Sequence, residues 1–187
     1  MPQSLKLPDN LPVPVDDGAC AHLPRLGLPE IELPATDGSI VNFSKLSGRT
    51  VIFCYPKTGR PGQDPPPEWD AIPGARGCTP QNCAFRDEFQ NLLEAGANQI
   101  YGVSAQSSKD QQEAAERLHL PYLLASDREL HFSRALNLPT FEFAGETLIK
   151  RLTMIIDNGV ITHVFYPVFP PDKSAAETRE WLSQHPR

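Results

Sequence analysis

Two cysteines five residues apart, Cys78 and Cys83, stand in the segment Gly77-Cys78-Thr79-Pro80-Gln81-Asn82-Cys83-Ala84-Phe85-Arg86-Asp87. Thr79-Pro80 predicts a helix start, because Thr caps and Pro is favoured at the first helical position. Phe85, Phe89, Leu92 and Leu93 follow as one apolar stripe, and Gly96 closes the helix. Cys78 then immediately precedes the helix, where free amide N–H groups and the positive end of the macrodipole point at its sulfur. A thiol so placed is favoured as the nucleophilic thiolate. Arg76, two residues earlier, adds a cation. Five helical residues separate two Cα atoms by about 8.7 Å, beyond the ~7 Å limit for a disulfide. Redox exchange between Cys78 and Cys83 therefore requires the first helical turn to unwind. The competing reading makes both of them small buried hydrophobes. A metal site is not expected: there is no second cysteine pair, and His22, His119, His131, His163 and His185 lack ligand spacing.

The elements that must position this segment can be read around it. Thr50–Tyr55 is a continuous apolar run with β-branched residues, the pattern of a strand buried on both faces. Gln99–Ser104 is the next strand, so strand, helix, strand implies a right-handed parallel crossover. Ile31–Leu33 and Ile40–Phe43 flank Thr36-Asp37-Gly38-Ser39, a hairpin turn. Further helices are expected at Lys109–His119, Glu129–Leu136 and Lys173–Gln184, the last with Trp181 and Leu182 facing inward. Leu152–Ile156 and Val160–Val168 read as strands joined at Asn158-Gly159, a strong hairpin signal. The sum is an α/β fold: a central mixed β-sheet flanked by helices on both faces, with an N-terminal β-hairpin. The Pro- and Gly-rich stretch 59–77 reads as a long loop that runs directly into Cys78. It is expected to wall a pocket, stiffened by Trp69 and Pro65-Pro66-Pro67.

Composition narrows the function classes. The 187 residues suit one domain. Prolines crowd residues 1–29, which read as an extended arm ahead of a domain over 30–187. A net charge of −6 argues against a nucleic-acid or anionic-membrane binder. No secretory leader or membrane-spanning run is visible. Four cysteines are too few for a disulfide-built scaffold. These features point to a soluble protein of a reducing compartment, the cytoplasm.

The order of features resembles the peroxiredoxins, and among them the Q type, also called bacterioferritin-comigratory protein. The matching stretches are Ile52-Phe53-Cys54-Tyr55-Pro56-Lys57, Gly77–Asp87, Tyr101–Ser104, Leu120–Asp127 and Arg151–Asp157, across roughly residues 28–184. The resemblance implies a thioredoxin-like fold. It implies Cys78 as the peroxidatic cysteine, Cys83 as the resolving one and Arg151 as the guanidinium beside the thiolate. It also implies peroxide as substrate, thioredoxin or a similar dithiol as reductant, no cofactor, and a monomer or weak homodimer.

One departure stands out. The family places a Thr or Ser hydroxyl three residues before its cysteine, where this chain has Ala75, and Ala71 stands seven before. Residues 58–77 also separate Tyr-Pro-Lys from Cys78 by more than the family spacing. Either Thr58 or Thr79 supplies a hydroxyl from a rearranged loop, or peroxide activation is weakened. Two other functions stay open: a thiol–disulfide oxidoreductase, which normally carries Cys-x-x-Cys, and a non-enzymatic redox sensor. Cys54 reads as an inert core residue, Cys20 as a bystander in the arm, and His163 as a satisfied strand residue.

Overall fold

The computed structural model describes residues 6–187. Its centre is a five-stranded mixed sheet, ordered in space as residues 123–126, 99–104, 49–54, 152–157 and 160–165. Strands β3 (Arg49–Cys54), β4 (Gln99–Ser104) and β5 (Leu123–Ser126) run parallel. Strands β8 (Leu152–Asp157) and β9 (Val160–Phe165) complete it antiparallel. All six residues of β3 are buried, as a central strand covered on both faces requires. A separate N-terminal hairpin pairs β1 (Glu32–Pro34) with β2 (Ile40–Asn42).

The alternation of β3 sorts the two cores. Val51, Phe53 and Tyr55 face α2 (Cys78–Glu94) and α5 (Ser174–Gln184). Ile52 and Cys54 face the hairpin, the N-terminal segment and α4 (His131–Ala135). Helix α3 (Ser108–Leu118) lies beside β5, with Gln111 donating to the Ala125 carbonyl at 2.9 Å. Phe53 and Phe85 stack with centroids 4.0 Å apart, which docks α2 onto the sheet. Gly102 sits opposite Phe53 in the register. A Cβ there would come 2.6 Å from Leu124 and 3.0 Å from the Phe53 ring, so only glycine admits this packing.

The N-terminal segment is tied down before β1 begins. The Arg25 N–H donates to the Ile161 carbonyl, the Ile161 N–H to Leu26, and the Leu28 N–H to Gly159. The segment thereby covers the outer edge of β9. Asn158 and Gly159 both have positive φ, the geometry of the two-residue turn expected there.

Three expectations are corrected. Helix α2 begins at Cys78, two residues before Pro80, the first helical residue expected behind a Thr79 cap. Its N-cap is Gly77, at φ 112° and ψ 18°, a left-handed backbone that Gly tolerates and Thr does not. Pro80 is accommodated because the first-turn amides have no helical acceptor. The 59–77 stretch is not all loop: Pro67–Asp70 forms a short helix, α1. A third hairpin, β6 (Thr140–Phe143) with β7 (Glu146–Ile149), lies where no strand was expected. Its turn, Ala144-Gly145, has positive φ at both residues.

Candidate functional site

Cys78 occupies the first position of α2 and is 4% exposed. Arg151, 3% exposed, immediately precedes β8 and reaches across to it. One guanidinium nitrogen, Nη2, lies 3.4 Å from the Cys78 sulfur. The same nitrogen donates toward the carbonyls of Gly74, Ala75 and Arg76 at 3.2, 3.2 and 3.3 Å. Nη1 donates to the Gln81 side-chain oxygen. Gln81 is in turn 3.4 Å from Ser174 of α5, which is 3.4 Å from Thr153 of β8. The cation is thus fixed by groups from the turn, α2 and the sheet. The Cys78 thiol donates to the Ala75 carbonyl at 3.7 Å. Arg76 is a correction: its guanidinium pairs with Asp70 at 2.9 Å, and its contribution to the site is its carbonyl.

Cys83 lies on the same helix, 4% exposed, and both thiols are free. It is absent from the lining of the cavity that Cys78 opens into. Burial pushes its thiol up, opposed by Arg86. The turn between the two cysteines is pinned from inside. Asn82 donates to the Cys78 carbonyl at 3.0 Å, and the Tyr122 hydroxyl donates to the Asn82 carbonyl at 2.7 Å. Helical geometry keeps the pair about 8.7 Å apart at Cα, so they meet only when this turn opens.

The cavity at Cys78 measures about 710 Å³. Thr58 and Thr79 both line it, as do Lys57, Trp69, Pro65, Pro66, Phe143 and Leu148. Thr58 is held by Gln106, which accepts from the Thr58 N–H at 3.0 Å and from its hydroxyl at 3.3 Å. The 59–77 stretch therefore supplies cavity wall. Ala75 explains the missing hydroxyl: it is fully buried with Trp69 and Leu148, so its methyl packs beneath the wall. Trp69 meets Phe143 edge-on at 5.0 Å, joining α1 to the β6–β7 hairpin.

This constellation is a buried thiol, a fixed guanidinium at its sulfur and a second thiol within reach of a local opening. The Redoxin family model matches residues 26–179. Peroxiredoxin Q of Sedum lineare, described as chloroplastic, is 32% identical over 156 residues, covering 82% of this chain and 74% of that protein. The chain belongs to the Redoxin family, in its peroxiredoxin Q group. The rice counterpart (Oryza sativa subsp. japonica) is also 32% identical, over 82% of this chain and 64% of its own length. This peroxiredoxin Q chain thus spans about two thirds of such longer relatives.

Solved structures share the thioredoxin-like fold that the resemblance implied. Peroxidoxin BcpB of Mycobacterium tuberculosis superposes with a TM-score of 0.70 at 24% identity, covering 89% of this chain and 100% of that one. Bacterioferritin comigratory protein of Xanthomonas campestris, described with its alkyl peroxide reduction activity, gives 0.67 at 22% identity, covering 86% and 97%.

The remaining residues singled out from the sequence lie away from this centre. Burial pushes the Cys20 thiol up to about 12 and raises that of Cys54 too. Both are in the core on the far face of the sheet. His163 stacks on Trp181 at 4.6 Å. Sequence reasoning missed Gln81, Gln106 and the β6–β7 hairpin as parts of the site. The hairpin had a signal: Phe141, Phe143 and Leu148 alternate about Ala144-Gly145. Gln81 and Gln106 had none, because the role of an amide side chain is defined by its partners.

Proposed function

We propose that this chain is a thiol-dependent peroxidase acting through Cys78, Arg151 and Cys83. The observation that carries the reading is the Arg151 guanidinium at 3.4 Å from the Cys78 sulfur, beside a cavity. The Cys78 thiolate attacks one peroxide oxygen. The O–O bond breaks, and the other oxygen leaves with a proton as water or an alcohol. Charge moves from sulfur to the leaving oxygen, and a guanidinium with forked donors follows it. Cys78 is left as a sulfenic acid. The first turn of α2 then opens, and the Cys83 thiol condenses with the sulfenic acid, forming the disulfide and releasing water. A dithiol such as thioredoxin restores both thiols by exchange.

The cavity favours organic hydroperoxides alongside hydrogen peroxide. Its volume falls in the range of small-molecule sites, and Trp69, Phe143 and Leu148 give it an apolar wall. The activity described for the Xanthomonas protein is of the same class. The hydroxyl absent at Ala75 is supplied in this reading by Thr58 or Thr79. In this reading the 1–29 arm, of which residues 1–5 lie outside the described residues, precedes a domain spanning 30–187 that is active as a monomer or weak homodimer. Among the described residues no helix is long and apolar enough to cross a membrane. A reducing compartment such as the cytoplasm suits the dithiol step.

The test is peroxide consumption coupled to a thioredoxin system, with hydrogen peroxide and cumene hydroperoxide compared. The reading expects turnover by wild type and none by Cys78→Ser. Stoichiometric oxidation without turnover would favour a sensor, and disulfide reductase activity without peroxide would favour an oxidoreductase.

A further inference from the structure

The turn that must open for Cys78 to meet Cys83 is held from outside as well as inside. Gly77, the N-cap of α2, is packed so closely that a Cβ there would lie 2.6 Å from Pro171 and 3.0 Å from Leu7. A Cβ on Gly74, three residues earlier in the same loop, would lie 3.7 Å from Pro14. Leu7 and Pro14 belong to the N-terminal arm, which therefore runs along the loop that carries the three carbonyls bound by Arg151. The arm is anchored a few residues on. Asp17 accepts from the Tyr166 hydroxyl at 3.0 Å and lies 3.7 Å from Lys150, the neighbour of Arg151. Beyond Asp17, the backbone bonds of Arg25, Leu26 and Leu28 to β9 fix the rest of the segment.

We propose that the N-terminal arm is a clamp on the first turn of α2, acting through Leu7 on Gly77, and that it sets the rate of disulfide formation. This rests on the peroxidase reading above. Leu7 also lines the cavity beside Cys78; as a positioning residue it acts on the turn through Gly77, and Asp17→Ala separates that role from the cavity wall. Leu7 and Pro171 crowd the space beside Gly77, so in this proposal unwinding from the Cys78 end is coupled to lifting of the arm. While the arm stays down, the sulfenic acid is retained on Cys78. It is then open to a second peroxide, which would add another oxygen to the sulfur and release water or alcohol, giving the sulfinic acid. The clamp thus divides the sulfenic acid between resolution and over-oxidation.

Two substitutions loosen the clamp at different points. Leu7→Ala removes the contact on Gly77. Asp17→Ala, at a residue that does not line the cavity, removes the anchor. Single-turnover experiments with one equivalent of hydrogen peroxide, quenched with a thiol-blocking reagent and followed by intact mass, separate sulfenic acid formation from its loss to the disulfide. Loosening is expected to speed the second step by about tenfold for Leu7→Ala, the scale of uncovering a half-buried leucine. Asp17→Ala should act in the same direction with less effect, and Leu7→Met should restore the wild-type rate. Titration with excess peroxide should show less sulfinic acid in both loosened variants. Resolution that is unchanged or slower in Leu7→Ala and Asp17→Ala, with wild type still forming the Cys78–Cys83 disulfide, would overturn the clamp alone. If wild type itself forms no such disulfide, the peroxidase cycle falls and the clamp with it.

Discussion

The Arg151 guanidinium places Nη2 3.4 Å from the Cys78 sulfur while the same nitrogen collects three backbone carbonyls of the Gly74–Arg76 turn. One cation thereby ties the loop to the sulfur. Arg151→Met is expected to slow sulfenic acid formation about 10²–10³-fold, the scale for removing an oriented charge from a transition state. Arg151→Lys should recover part of this, because it keeps the charge and loses the fork. Stopped-flow oxidation of the two variants measures both effects.

Ala75 is filled in rather than merely missing a hydroxyl. Its methyl is fully buried with Trp69 and Leu148. Ala75→Thr adds two heavy atoms to a packed cluster and is expected to destabilise the fold by about 1–3 kcal/mol. Urea unfolding of reduced protein checks it. A Thr variant as stable as wild type would mean that the wall formed by α1 yields easily.

The Cys83 thiol is pushed up by burial, so at neutral pH it is protonated while α2 is intact. The thiolate is the attacking species in disulfide formation. Resolution of the Cys78 sulfenic acid should therefore speed up as pH rises through and above the ordinary thiol range, about 8.5. Rapid quenching at a series of pH values follows the step. A resolution rate independent of pH would place the slow event wholly in the opening of the turn.

A separate prediction concerns the frame of the sheet. Arg49, buried in β3, binds both oxygens of Asp157 in β8, at 2.8 and 2.9 Å. Hydrogen bonding from Arg49 holds the Asp157 carboxyl below its usual value. The stabilisation is present above the unfolded carboxylate value of about 3.9. It is lost as pH falls through the lower folded value. Asp157→Asn should cost about 1–3 kcal/mol at neutral pH, and the gap to wild type should close in acid. Chemical denaturation at pH 7 and below pH 4 tests the sign.

Sequence patterning revealed the scaffold where periodicity and turn chemistry were strong. The all-apolar run of β3, the Asn158-Gly159 turn and the apolar stripe of α2 each have one reading that fits a sheet layered with helices. Cys78 at the helix start was legible because its placement follows from the Gly77–Pro80 segment. The start itself was misplaced by two residues, since Gly77 caps through its backbone conformation, and a Thr79-Pro80 pair suggests a side-chain cap instead. The contact between Arg151 and Cys78 spans 73 residues and depends on the β3–β8 pairing, so no local pattern carries it. The wall of the cavity was harder still: α1 is four residues long and is held in place by Trp69 against Phe143.

The central claim is that Cys78 is oxidised by peroxide and resolved by Cys83 after local opening of α2. Its most direct test is the intact mass of Cys83→Ser and wild type after one equivalent of hydrogen peroxide. Cys83→Ser should gain one oxygen, localised to Cys78, while wild type should instead lose two hydrogens as a Cys78–Cys83 disulfide. Wild type unchanged in mass, or a disulfide that omits Cys78, would contradict the account.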